Sequence, residues 1–232
     1  MGNDVSLPPH VMLAGKDCIN KIGGLLTNSE KITVRLATWE NISFGWGYEN
    51  EALIKSTFLE AALEGNVQAL NWMQQKSLSA YFSSGDICKV ARAGQLESLK
   101  WIVRTRRVYW KNIPNACSSA AEGGHLDVLT WLKRDQKCPW DECTWFSAES
   151  AGHVHILEFL RKNNMATNSK VKHFLGTSAI EKDHVSVVFW ITHNFVISRE
   201  KLIKWLETAR FHDAQTVVSY IEKAYGHVVG LE

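Results

Sequence analysis

The chain is 232 residues long, 45% hydrophobic and 22% charged, a balance that fits a folded, water-compatible polypeptide and excludes low-complexity disorder. Its formal net charge is +2, too close to neutrality for the whole chain to favour nucleic acid or an anionic membrane. No apolar run reaches the ~18 residues of a membrane helix, and the N-terminus lacks the charged and apolar regions of a secretory signal, so an intracellular protein, cytoplasmic or nuclear, is expected.

The chain opens Met1-Gly2-Asn3-Asp4-Val5-Ser6. This fits the MGxxxS pattern in which Gly2 accepts a myristoyl chain once the methionine is removed. No polybasic cluster stands beside it, and one acyl chain alone holds a membrane only marginally, so a membrane partner is expected only if Gly2 is acylated. Leu7-Pro8-Pro9 comes next, then Ile19, Ile22, Leu25, Leu26, Ile32, Val34, Leu36, Trp39 and Ile42 at mostly helical spacing, broken at Thr27-Asn28-Ser29. Two readings stand for this segment, residues 1–50. It is a tail and helical cap covering the otherwise exposed face of the first of the repeats that follow, or a segment that resembles an F-box, the helical module that docks ubiquitin-ligase scaffolds.

After a Gly- and aromatic-rich turn at Ser43 to Gly47, a helix is expected from Leu53 to Leu63, leading into Gly65. From there the chain repeats. Turn residues recur at Gly65, Gly94, Gly124, Gly152, Asp183 and Asp213, at intervals of 29, 30, 28, 31 and 30 residues by subtraction. Such periods mark stacked supersecondary units. Five residues after each turn stand Leu70, Leu99, Leu129, Leu157, Val188 and Val218; seven after, the aromatics Trp72, Trp101, Trp131, Phe159, Trp190 and Tyr220. Eight after come Met73, Ile102, Leu132, Leu160, Ile191 and Ile221. Two after the turn are Val67, Leu96, Leu126, Val154 and Val185, with Gln215 the exception. Offsets of two, five and eight share one helical face, so each copy carries an amphipathic second helix. Four residues before the turn stand Ala61, Ala120, Ala148, Ala179 and Ala209, small enough for two helices to approach closely, with Val90 the larger variant. Beyond Ile221, the stretch from Ala224 to Glu232 is expected to fray.

The copy from Asn115 to Leu132, NACSSAAEGGHLDVLTWL, is similar to the ankyrin repeat at its alanine pair and from Gly124 through Leu129. With Trp131 and the Cys138-Pro139-Trp140-Asp141-Glu142 loop, it resembles most the short-period subtype found in proteins of large DNA viruses and protists. The resemblance covers about Ser56 to Tyr225. It implies an all-α solenoid of about six helix pairs (residues 51–225) with helical caps, short inter-repeat loops and a C-terminal tail at 226–232. The Thr-Pro start of the ankyrin first helix is absent from every copy. The period is shorter than the ~33 residues of an ordinary ankyrin repeat, so short turns and not strands are expected between copies.

Chemistry-bearing residues are few. His125, His153 and His184 hold one position of three copies, just after the turn, where a ring nitrogen can bond a neighbouring backbone group; His155 lies beside them. Repetition at one position signals structure, and no GxSxG, Walker loop, HExxH or GxGxxG is present, so neither an enzyme nor a cofactor is expected. The five cysteines, Cys18, Cys88, Cys117, Cys138 and Cys143, are odd in number. Cys138 and Cys143 form a CxxxxC without a second ligand pair, so no metal is expected and reduced, structural thiols are the reading.

The expected role is protein–protein interaction by a monomer, through the concave and loop face that ankyrin arrays use; the alternative is a ubiquitin-ligase adaptor with an F-box-like N-terminus. Sixteen residues after successive turns stand Tyr81, Trp110 and Trp140, either contact aromatics or rings tucked under their own loops. Arg104, Arg106, Arg107 and Lys111 are denser than dipole capping of a helix end requires and suit an acidic surface. The candidate partner-binding set is therefore Tyr81, Arg104, Arg107, Trp110, Lys111, Trp140, Asp141 and Glu142.

Overall fold

A computed structural model describes residues 49–75, 81–105, 113, 115–165 and 169–230. The segment at 1–48, with Gly2 and the F-box-like stretch, lies outside the described residues, as do Arg107, Trp110 and Lys111. The described residues are helical with short turns and contain no strand. The helices are α1 (Glu49–Leu63), α2 (Val67–Gln75), α3 (Ser84–Arg92), α4 (Leu96–Thr105), α5 (Asn115–Gly123), α6 (Leu126–Arg134) and α7 (Glu142–Ser150). They continue with α8 (Val154–Lys162), α9 (Ser169–Phe174), α10 (Thr177–Glu181), α11 (Val185–Asn194), α12 (Arg199–Phe211) and α13 (Gln215–Val229).

Every aligned turn residue has positive φ: Gly65 71°, Gly94 74°, Gly124 77°, Gly152 79°, Asp183 56° and Asp213 57°. Each closes the same double hydrogen bond. The amide of the residue after the turn donates to the carbonyl of the small residue four before it, as in Asn66 to Ala61 (2.9 Å), His125 to Ala120 (3.0 Å) and Ala214 to Ala209 (2.8 Å). The turn amide itself donates to the carbonyl three before, as in Gly65 to Ala62 (3.2 Å) and Asp183 to Ile180 (3.1 Å). This is the Schellman ending, which satisfies orphan carbonyls and needs a left-handed residue, glycine by preference and Asp by tolerance. The small column is buried throughout, as are Leu70, Leu99, Leu129, Leu157 and Val188 and the column from Met73 to Ile221. The positions two after the turn begin the second helices and are half-buried or exposed.

The chain divides into two compact units, one of Met1–Asp86 with Glu97–Arg106 and one of Ile87–Leu96 with Arg107–Glu232. In the first, Phe58 of α1 is buried with its ring 6.4 Å from Phe82 and 6.3 Å from Trp101. The Trp101 indole N–H donates to Asn71 Oδ1 (2.8 Å). Ser83 and Asp86 cap the start of α3 reciprocally: the Ser83 amide donates to Asp86 Oδ2 (3.0 Å) and the Asp86 amide to Ser83 Oγ (3.2 Å), the geometry of a capping box.

In the second unit, helices pair as α5/α6, α7/α8, α10/α11 and α12/α13. First helices pack on first helices, α5 on α7, α7 on α10 and α10 on α12, while α8 packs on α11 and α11 on α13. The histidine column fastens successive pairs. His153 Nε2 bonds the Glu122 carbonyl (3.0 Å) and His184 Nε2 the Ser150 carbonyl (2.8 Å), and since a carbonyl only accepts, each Nε2 carries the proton. Each ring lies on the preceding turn: a Cβ at Gly124 would stand 2.7 Å from His153 Cε1, and one at Gly152 3.0 Å from His184 Nδ1. Burial, then the charge of neighbouring histidines, holds His153 below the usual imidazole range.

Two regions depart from the repeat. The first helix of the fifth copy is broken into α9 and α10 at Gly176 (φ 85°), where the Trp205 ring of α12 fills the space a side chain would need. Among the described residues, the fraying expected from Ala224 onward does not occur. Helix α13 runs to Val229 and ends at Gly230 (φ 84°), held because Gly226 is buried and Arg199 Nε donates to the Val228 carbonyl (2.7 Å).

Gly124→Ala is expected to lower stability by about 2 kcal/mol, from a left-handed non-glycine residue plus ring overlap. In a chemical-denaturation double-mutant cycle with His153→Ala, the paired variant should lose less than the sum of the two single losses, because the ring that clashes is gone.

Candidate functional site

The predicted contact residues fall into three groups. Tyr81, just before α3, is 77% exposed, and Arg104 is exposed near the end of α4; both belong to the first unit. Arg107, Trp110 and Lys111 lie outside the described residues. Trp140, Asp141 and Glu142 are brought together in the second unit, where the fold already employs all three. Trp140 is half-buried, 6.0 Å edge-on to Phe159 of α8, with Lys133 Nζ 4.2 Å above its ring. Its indole thus tucks between its own hairpin and the next, and the contact with Lys133 adds a cation–π attraction. Asp141 is the N-cap of α7, its carboxylate accepting the Cys143 amide at 3.0 Å. Glu142 comes next in the first turn, half-buried, where its charge favours the positive helix end.

Exposed aromatic surface lies elsewhere as well. Phe189 of α11 is 50% exposed, its ring 4.0 Å from His193 and 5.9 Å from Tyr220 of α13. The Tyr220 hydroxyl shares a 2.8 Å hydrogen bond with Thr192, which fixes the rim of this patch. A signal for Phe189 was present in the sequence. Six residues after each turn the chain carries Asn71, Lys100, Thr130, Glu158, Phe189 and Ser219, and only one of these is apolar. Phe174, also half exposed, meets Phe146 edge-to-face at 6.2 Å and His173 at 4.7 Å. No repeat column announced it, because it sits in the broken helix.

A buried carboxyl gave no signal in the spacing. Glu149 takes the place that Ala62, Ala91 and Ala121 hold in earlier copies, and it is fully buried. Its Oε1 accepts both the Trp145 indole N–H (2.8 Å) and the Gly176 amide (3.0 Å). The helix break frees that amide, and the carboxyl replaces the partner that an unbroken helix would have supplied. Burial pushes the carboxyl from its ordinary 4.5 up to about 7, against the pull of the Gly176 and Trp145 donors and the Lys201 charge. Lys201 Nζ instead donates to the carbonyls of Lys172 (2.9 Å) and His173 (3.3 Å).

Among the described residues no cluster of three or more His, Cys, Asp or Glu could hold a metal ion, and no helix is long and apolar enough to cross a membrane. No protein-family model matches the sequence, and comparison with curated proteins finds no match.

The raised carboxyl fixes a pH dependence. Between the unfolded value of 4.5 and the folded value of about 7 the folded chain holds a proton that the unfolded chain releases, so this group's contribution is fully present below 4.5 and is lost as pH rises to 7. Glu149→Gln, which cannot ionise, should therefore raise the melting temperature at about pH 8 by an amount worth up to ~3 kcal/mol, and the gain should shrink as pH falls towards the ordinary carboxyl range.

Proposed function

We propose that this chain is a protein-binding scaffold: an ankyrin-like array of helix pairs that presents fixed side chains to a partner protein. The observation that carries the reading is the recurrence of one turn geometry at Gly65, Gly94, Gly124, Gly152, Asp183 and Asp213, with imidazoles fastening consecutive pairs. A framework of equivalent turns and stacked first helices is quasi-one-dimensional, and what varies along it is its surface. Rings held on such a framework lose little conformational freedom on binding. The exposed aromatics, Tyr81 in one unit and Phe189 with its His193 and Tyr220 neighbours in the other, suit an apolar anchor on the partner. Trp140 and Asp141 support the second unit's surface by fixing the loop before α7.

The test is affinity capture from cell extract followed by mass spectrometry, comparing the natural chain with Tyr81→Ala and Phe189→Ser. Because both side chains are at least half exposed, the variants should keep the natural melting temperature within about 1 °C, as surface changes do. At least one should lose the captured protein by about tenfold or more, the loss expected when a buried aromatic anchor is removed. Undiminished capture by both variants and by the double variant would remove these surfaces from the reading; capture of no protein by the natural chain would remove the reading itself.

A further inference from the structure

Three thiols converge in the second unit. Cys117 lies buried in the first turn of α5, Cys138 lies buried in the loop that leaves α6, and Cys88 of α3 is half-buried nearby, bonded to Ser119. The loop is pinned by the Cys138 amide, which donates to the Leu132 carbonyl at 2.9 Å. This seats Cys138 Sγ at the start of α5, beside the Cys117 thiol and the Cys117 backbone amide. As a thiol, Cys138 donates to the Ile113 carbonyl at 3.8 Å and to the Pro139 carbonyl at 3.7 Å.

We propose that Cys117 and Cys138 form a peroxide-oxidisable dithiol that closes into an intramolecular disulfide, stapling α5 to the loop beyond α6. The two sulfurs are unequal, as an attacking and a resolving thiol must be. The Cys117 S–H and the α5 amide stabilise a thiolate at Cys138, with Lys133 adding positive charge and burial opposing, so Cys138 ionises more readily than an ordinary thiol. Cys117, whose proton is engaged by Cys138 and which is buried, is held well above the ordinary range. In the first step the Cys138 thiolate attacks one oxygen of hydrogen peroxide; the O–O bond breaks, and the departing hydroxide takes a proton to leave as water, so that Cys138 becomes a sulfenic acid. In the second, the Cys117 sulfur attacks Cys138 Sγ; the S–S bond forms, the S–OH bond breaks, and the hydroxide leaves with the Cys117 proton as a second water. Peroxide is reduced, and two thiols are oxidised to one disulfide. The reaction needs a small oxidant, because Cys138 is covered while its loop neighbours Lys137 and Pro139 are exposed.

The full-length chain, reduced and then exposed to a modest excess of hydrogen peroxide, is alkylated under denaturing conditions and digested without reductant. A linked peptide containing Cys117 and Cys138, lighter by two hydrogens than the sum of its parts, is expected from a protein that remains folded by circular dichroism. Its melting temperature should rise on oxidation and return on reduction, because the cross-link restricts the unfolded chain. Cys88→Ala should leave the link intact, and Cys117→Ala should abolish it and drive Cys138 to the sulfinic acid. Recovery of Cys117 and Cys138 as alkylated thiols while the exposed Cys143 is oxidised would overturn the proposal, as would a link made instead through Cys18, Cys88 or Cys143. The natural chain alone decides this, so a variant that fails to fold does not remove the test.

Discussion

The structure depends on a backbone ending that few residues tolerate. Each hairpin closes with a left-handed residue whose own amide and the next amide return to the carbonyls of the helix just completed. That closure sets the angle between two helices and leaves no room for a side chain at three of the glycines, because an imidazole from the following hairpin lies on them. One constraint therefore acts at two levels. It ends a helix locally, and it supplies the flat surface onto which the next unit is fastened. A single methyl group in place of a glycine hydrogen disturbs both.

The break between α9 and α10 shows what happens when the repeat is locally abandoned. Trp205 takes the space over Gly176, the helix loses continuity, and an amide is left without its helical acceptor. Burying such a donor costs roughly 1–3 kcal/mol unless something accepts it. Glu149 does so, and in doing so places a carboxyl where earlier copies have an alanine methyl. The substitution looks anomalous along the column and is sensible across it, since the residue answers to the neighbouring helix and not to its own.

How much could be read from the residues depends on which forces are periodic. The turn register, the small column and the apolar columns were legible because each is dictated by a contact made in every copy; Ala120 and Leu129 are buried where the spacing put them. The histidines were legible for the same reason, and His153 and His184 bond backbone carbonyls as their shared position suggested. Contacts made once were not legible. Nothing in the spacing could reveal that Glu149 would meet Gly176, that Cys138 would settle at the start of α5, or that Val229 would still be helical. The candidate site divides in the same way: Tyr81 projects, Asp141 is held by the cap it makes at the start of α7, and Phe189 was visible only as an apolar residue in a polar column.

The last junction uses different chemistry from those before it. Asp183 stands where glycine stood, Ala214 where histidine stood, and the aspartate carboxylate receives the amides of Thr216 (3.3 Å) and Val217 (2.9 Å) at the start of α13. Although partial burial disfavours its charge, those amides and the Thr216 hydroxyl hold the carboxyl below the usual range. The final hairpin is consequently not an expendable appendage. Cutting the chain after Phe195 would remove both amides that the Asp183 carboxylate receives, so a shortened version ending there would lose the contact that replaces the imidazole at this seam.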